Sequence, residues 1–162
     1  PFAVVGFLKP GLLRLITIRV VLLAIDYAVR HLFSHADLAG IKTIHFARWV
    51  PLDGWRRMTF ASNYDGAVEA YNDDFINEVW WGLNAVFGNG AGYPPTRWLL
   101  CGGARYEQPF KYTLRNHQVP VPAWYSAYPA LSAANIENNA RVRAGLRGDL
   151  SPADAERWLS LL

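Results

Sequence analysis

Four carboxylates crowd the first half of the stretch FASNYDGAVEAYNDDFINEVWWGL, residues 60–83: Asp65, Glu69 and Asp73 at intervals of four, with Asp74 beside the last. On a helix that spacing lines them along one face. Carboxylates so gathered can do acid and base work if burial drives their pKa values apart, or hold a hard cation if they converge. The same residues also serve a structural end. Negative charge in the first turns complements the helix dipole, and Asp65 is placed to cap a helix starting at Gly66. Ser62 and Asp65 would form a capping box for a slightly earlier start. The acidic face lies opposite the Val68, Phe75, Val79 stripe and no His sits at ligand spacing from it, so the expectation is a capped helix.

His45 is the second candidate. In IKTIHFARWVPL, alternation puts His45, Ala47 and Trp49 on one strand face and Ile44, Phe46, Arg48 and Val50 on the other. Across a hairpin the His45 face is expected to meet Thr59 or Arg57. Lining a cavity, His45 would serve as a metal or haem-iron ligand, with Arg48 or Arg57 holding an anionic group. In a packed aromatic interface it would be a hydrogen-bonded histidine. The catalytic candidates are therefore His45, Asp65 and Arg48, with His45 the candidate for a cofactor. His31, His35 and His117 have no partner at metal spacing, and no metal site is expected.

Other chemistry is thinner. Cys101 is the single cysteine, which excludes an internal disulfide or a multi-cysteine zinc site, and it is expected as a buried, inert thiol. GNGAGY, residues 88–93, follows a helix and precedes no Lys-Ser or Lys-Thr, so it reads as a mobile connection and not a nucleotide loop. Ser126 and Ser132 lack a nucleophile elbow. Arg141, Arg143 and Arg147 gather near a helix C-terminus, where cations are favoured anyway.

The elements that must position these groups follow from periodicity. LLRLITIRVVLLAIDYAVRHLF reads as a helix over about 12–33, with Arg19, Asp26 and Arg30 in one narrow stripe and most of the remaining circumference apolar. Its longest uncharged run, Val20 to Ile25, falls far short of the roughly 18 residues of a spanning helix. Three readings stay open: packing on the domain's own sheet, lying in a membrane interface, or docking on a partner subunit. For the last two, Arg14, Arg19, Leu22, Leu23, Arg30 and Phe33 are the contact candidates.

Asp53-Gly54 between two β-rich runs predicts a hairpin with strands over 42–50 and 56–62. A helix over 66–87, a strand over 96–101 and a helix over 104–116 follow. The stretch from Gln118 is confined by Pro120 and Pro122 to a sheet edge or loop. Helices over 132–146 and from Ser151 close the chain. That order predicts an α+β fold: a ferredoxin-like antiparallel sheet with helices on one face over 39–148, preceded by a helical segment over 1–38 and followed by a helix in 149–162. The other sheet face must be covered by something else, commonly a second copy.

At 162 residues the chain suits one domain, yet 52% apolar and 14% aromatic residues against 18% charged leave a surface in want of a partner or a membrane. The net charge is +3, with 13 of the 16 cations Arg and no polybasic block. Nucleic acid is not an expected partner, whereas an anionic membrane surface is. A chain that opens on Pro1 with its single Met at position 58 is expected to be a fragment or a processed form.

IKTIHFARWVPLDG, FASNYDGAVEAYNDDFI and GYPPTRWLL resemble an uncharacterised bacterial family of the dimeric α+β barrel type, across about His31 to Gly145. The superfamily also holds dye-decolourising peroxidases and chlorite dismutases. The resemblance implies ferredoxin-like sheets packed face to face, within a dimer or against another domain. Peroxidases of that superfamily use an Asp in a Gly-x-x-Asp-Gly motif; here SNYDG carries Ser62 at the first Gly. The expected function is a non-catalytic, membrane-peripheral accessory or assembly subunit without cofactor, membrane-associated on the cytoplasmic side, partnered by protein subunits or a second copy. The alternative is a haem-dependent, peroxidase-like oxidoreductase.

Overall fold

The computed structural model describes residues 1–31, 41, 43–148 and 150–162. A three-stranded antiparallel sheet in the order β1-β3-β2 is built from β1 Phe2–Phe7, β2 Ile44–Leu52 and β3 Arg57–Tyr64. In β3 Met58, Phe60 and Ser62 are buried while their neighbours are half-exposed, the period-two pattern of a sheet covered on one face. Register places Phe2 opposite Ser62 and Val4 opposite Phe60 on one side of β3, with Ala47 and Trp49 opposite the same two residues on the other. One face therefore collects the apolar rows. The turn between β2 and β3 holds Asp53, Gly54 and Trp55 at positive φ, as the Asp-Gly signal requires.

Two helices cover the apolar face. In α1, Leu12–His31, Ile18 packs with Met58 and Val86; in α2, Val68–Phe87, Tyr71, Phe75, Val79 and Leu83 pack with Phe2, Val4 and Phe60. The chain thus begins with a strand, which corrects the expected helical segment over 1–38. FAVVGF is too short to announce itself, and its partner β3 lies some 55 residues away, so no hairpin signal marks it. Phe33 and His35 lie outside the described residues.

α2 starts at Val68, two residues later than expected, with Ala67 at its N-cap and no side chain capping it. Gly66, at φ 83, makes the left-handed turn out of β3 that glycine tolerates. A local kink at Val79 (φ −130, ψ 26) breaks the helix midway.

Beyond α2, GNGAGY is tied down at its start: Lys9 N–H donates to the Asn89 carbonyl and Ala91 N–H to the Phe7 carbonyl, both at 2.8 Å. The strand expected over 96–101 instead folds back on itself as β4 Thr96–Arg97 and β5 Cys101–Gly102. Trp98 and Leu99 turn the corner at φ 54 and 64, and Cys101 is exposed, not buried as expected.

α3, Glu107–His117, accepts Pro109 in its first turn, where a missing N–H costs little. Gln118 then bridges Val4, and Val119 N–H reaches the Ala3 carbonyl at 2.9 Å, so the extended stretch lies along the free edge of β1. Pro120 cannot donate to that edge.

The chain divides into two compact units, Pro1–Trp124 and Tyr125–Leu162. The second is a pair of helices, α4 Ala133–Gly145 and α5 Pro152–Leu159. Ser132 and Asn135 form a capping box on α4, and Ser151 caps α5 with Pro152 in its first turn. Trp158 Nε1 donates to the Val142 carbonyl at 2.9 Å across the pair. A Cβ on Gly145 would come within 2.1 Å of the Trp158 ring, which makes that glycine a condition of the contact.

Candidate functional site

The four carboxylates do not converge. Asp73 takes Lys111 Nζ at 2.5 Å, Asp74 accepts from the Thr43 hydroxyl at 3.4 Å, and Glu69 stands 3.9 Å from Arg115. Lys111 also reaches Glu107 at 2.7 Å. Its amine is raised above the ordinary value, first by the Asp73 hydrogen bond and then by Glu107. The acidic face thus joins α2 to α3 and to the entry of β2. Among the described residues no group of three or more His, Cys, Asp or Glu side chains is placed to hold a metal ion.

Asp65 corrects the capping expectation. Its carboxylate meets His45 Nε2 at 2.8 Å, and its N–H donates to the Thr43 carbonyl at 2.8 Å, so the residue closes the start of β2 onto the end of β3. A β-bulge produces this pairing: the register slips between Ile44, opposite Tyr64, and Phe46, opposite Asn63, leaving His45 unpaired on the ladder. Thr59 and Arg57, expected beside His45, lie opposite Val50 and Leu52 at the other end of the hairpin. Arg48 lies opposite Ala61 and is exposed, apart from the His45–Asp65 pair.

These residues do not fit a haem. The His45 and Asp65 side chains are 29% and 30% exposed, and His45 lines none of the three cavities of the first unit described here. His117 does line one, an apolar cavity of about 50 Å³, far too small for a porphyrin. Its Nδ1 is bonded to the Thr113 carbonyl at 2.8 Å. An apolar cavity of about 300 Å³ lies between α1 and α2 beside the Val79 kink and is lined by no titratable side chain.

Sequence reasoning missed Asn84. Fully buried on α2, it donates from Nδ2 to the carbonyls of Leu100 (2.7 Å) and Gly102 (2.9 Å). Its Oδ1 accepts from Tyr93 hydroxyl at 2.9 Å and from Ala104 N–H at 2.8 Å. All four hydrogen-bonding positions of the amide are used. The signal was present in WWGLNAVF, where a lone Asn interrupts an apolar run. Gly103 is obliged by the same contact, since a Cβ there would lie 2.1 Å from Asn84 Oδ1.

The outer surface of α1 is the most distinctive feature of the first unit. Leu12, Leu13, Ile16, Val20, Leu23 and Tyr27 recur at helical spacing, and all are exposed, the leucines by 69–76%. Leu22, expected in this surface, instead turns inward beside Met58 and Val86. Arg19 lies over the Trp55 ring at 5.0 Å and Arg30 pairs with Asp26 at 3.0 Å, so both sit at one margin of the stripe. Arg14 is half-buried near the foot of the helix. No helix among the described residues is long and apolar enough to cross a membrane.

Comparison with known proteins returned no matching family model, no matching curated protein and no matching solved structure.

Proposed function

We propose that this chain is a non-catalytic, membrane-peripheral domain that works as an accessory or assembly subunit of a larger complex. The observation that carries the reading is the apolar outer face of α1. A helix already packed on one side has no structural need of six large apolar residues on the other, and a contiguous patch of that kind marks an interaction surface. Laid in a membrane interface, such a face buries several side chains worth about 1.5–3 kcal/mol each if fully covered. The Arg19 and Arg30 margin suits an anionic leaflet, and the cytoplasmic side is the one that offers it.

The assembly part rests on the other side of the sheet. Phe7, Phe46 and Val50 are exposed there, and Ala3 and Ala61 leave room for close approach. A second copy packed sheet to sheet is the occupant we favour, in keeping with the resemblance to the dimeric α+β barrel family. A ferredoxin-like topology is supported by the β1-β3-β2 order with Gln118 on the far side of β1.

Flotation with phosphatidylglycerol vesicles tests the membrane reading. The wild type is expected to float, and Leu13→Ser with Leu23→Ser to stay behind while melting as the wild type does, because both side chains are exposed. A wild-type chain that remains wholly in the soluble fraction would overturn it.

A further inference from the structure

We propose that the cleft at the foot of α1 receives the phosphate and hydroxyl groups of a polyol headgroup on an anionic phospholipid. The inference rests on the membrane reading above and states where the surface charge is read. The cleft, about 520 Å³, lies between the β1–α1 connection, the first turn of α1, the β2–β3 turn and Asn89. Three cations line it, Lys9, Arg14 and Arg56, and no Asp or Glu does.

Among the described residues none of the three cations is ion-paired. The acid of the adjoining turn, Asp53, is held by Arg57 at 2.5 Å. Lys9 spends one proton on the Gly88 carbonyl at 2.9 Å and keeps two donors free. Burial, and then the neighbouring charge of Arg14, hold its amine below the ordinary lysine value.

The backbone adds to this demand. The helical ladder of α1 starts with Leu15 N–H to the Gly11 carbonyl at 3.1 Å, so the N–H groups of Leu12, Leu13 and Arg14 have no acceptor within the helix. Its first turn carries no acidic residue. A helix start of this kind favours phosphate.

Asn89 narrows the choice of ligand. It is 1% exposed and lines the same cleft. Its Nδ2 is spent on the Ala85 and Val86 carbonyls at 2.8 and 3.4 Å, while its Oδ1 has no partner. A buried acceptor left unpaired calls for a donor. A fully deprotonated anion such as sulfate offers none, whereas a phosphodiester bearing free hydroxyls carries the charge for the cations and a donor for Asn89. Leu12 lines the cleft and Leu13 adjoins it, so the headgroup site runs directly into the apolar stripe. That continuity favours a lipid over a free phosphate ester.

Two measurements test the proposal on the full chain. In flotation with phosphatidylcholine vesicles containing phosphatidylglycerol, Arg14→Gln and Arg56→Gln should each weaken binding about fivefold, the worth of one cation at an anionic surface. Arg115→Gln removes the same charge from α3, outside the lining of the cleft, and should change binding much less. In a titration with soluble glycerophosphoglycerol followed by amide NMR, shifts should concentrate at residues 9–14, Arg56 and the Asn89 side chain. Equal losses for Arg115→Gln, with no shifts from the headgroup, would overturn the cleft and leave the membrane reading standing. Headgroup shifts without flotation would overturn the lipid as occupant, and neither flotation nor shifts would overturn both.

Discussion

Asn84→Ala should be among the most damaging substitutions outside the apolar core. It strips four hydrogen bonds of 2.7–2.9 Å from a fully buried amide. Leu100 is exposed and Gly102 half-exposed, so water can reach their carbonyls and those losses are small. Ala104 N–H and the Tyr93 hydroxyl are buried, and each unpaired group there costs about 1–3 kcal/mol. With the cavity left behind, a loss of about 3–5 kcal/mol is expected, a large share of a typical domain's stability. Tyr93→Phe is the control, since Asn84 Oδ1 keeps Ala104 N–H and the cost should be near 1 kcal/mol. Equilibrium denaturation followed by tryptophan fluorescence reads both. A cost below about 1 kcal/mol for Asn84→Ala would refute the reasoning, because buried donors would then be finding partners that the structure does not provide.

The His45–Asp65 pair predicts coupling in a double-mutant cycle: Asp65→Ala should cost up to about 1 kcal/mol in wild type and distinctly less in a His45→Ala background. A cost independent of His45 would restore the capping explanation. Alkaline stability gives the other expectation. Burial raises the phenols of Tyr71 and Tyr93, and the Asp73 hydrogen bond raises Lys111, so all three hold their protons more tightly folded than unfolded. Stability from them is intact below the ordinary values of 10.0 and 10.5 and is lost as the pH climbs past them. Thermal melts should therefore fall from about pH 10 upward, with a shallower fall in Tyr93→Phe; a melting temperature flat across that range would contradict the sign.

The sequence by itself determined what is decided within a few residues of chain. The Asp53-Gly54 turn, the apolar stripe of α2, the Ser151 cap and the proline-limited edge after Gln118 were all legible, because turn chemistry, helical periodicity and capping depend on neighbours no more than about four positions away. The tertiary structure decided the rest. β1 is a strand because β3 offers it a ladder from a distant part of the chain, and Asp65 abandons the helix because a bulge carries His45 to it. Local rules favoured the cap; a partner twenty residues upstream took the carboxylate instead. Asn84 looked like a flaw in an apolar helix until the chain returned at Leu100–Ala104 to use every atom of its amide. Lys9, Arg14, Arg56 and Asn89 form a single cleft only after α1 and the hairpin turn have packed together. Contacts of that kind depend on which distant segments the burial of apolar surface brings side by side, and no window of local sequence contains that information.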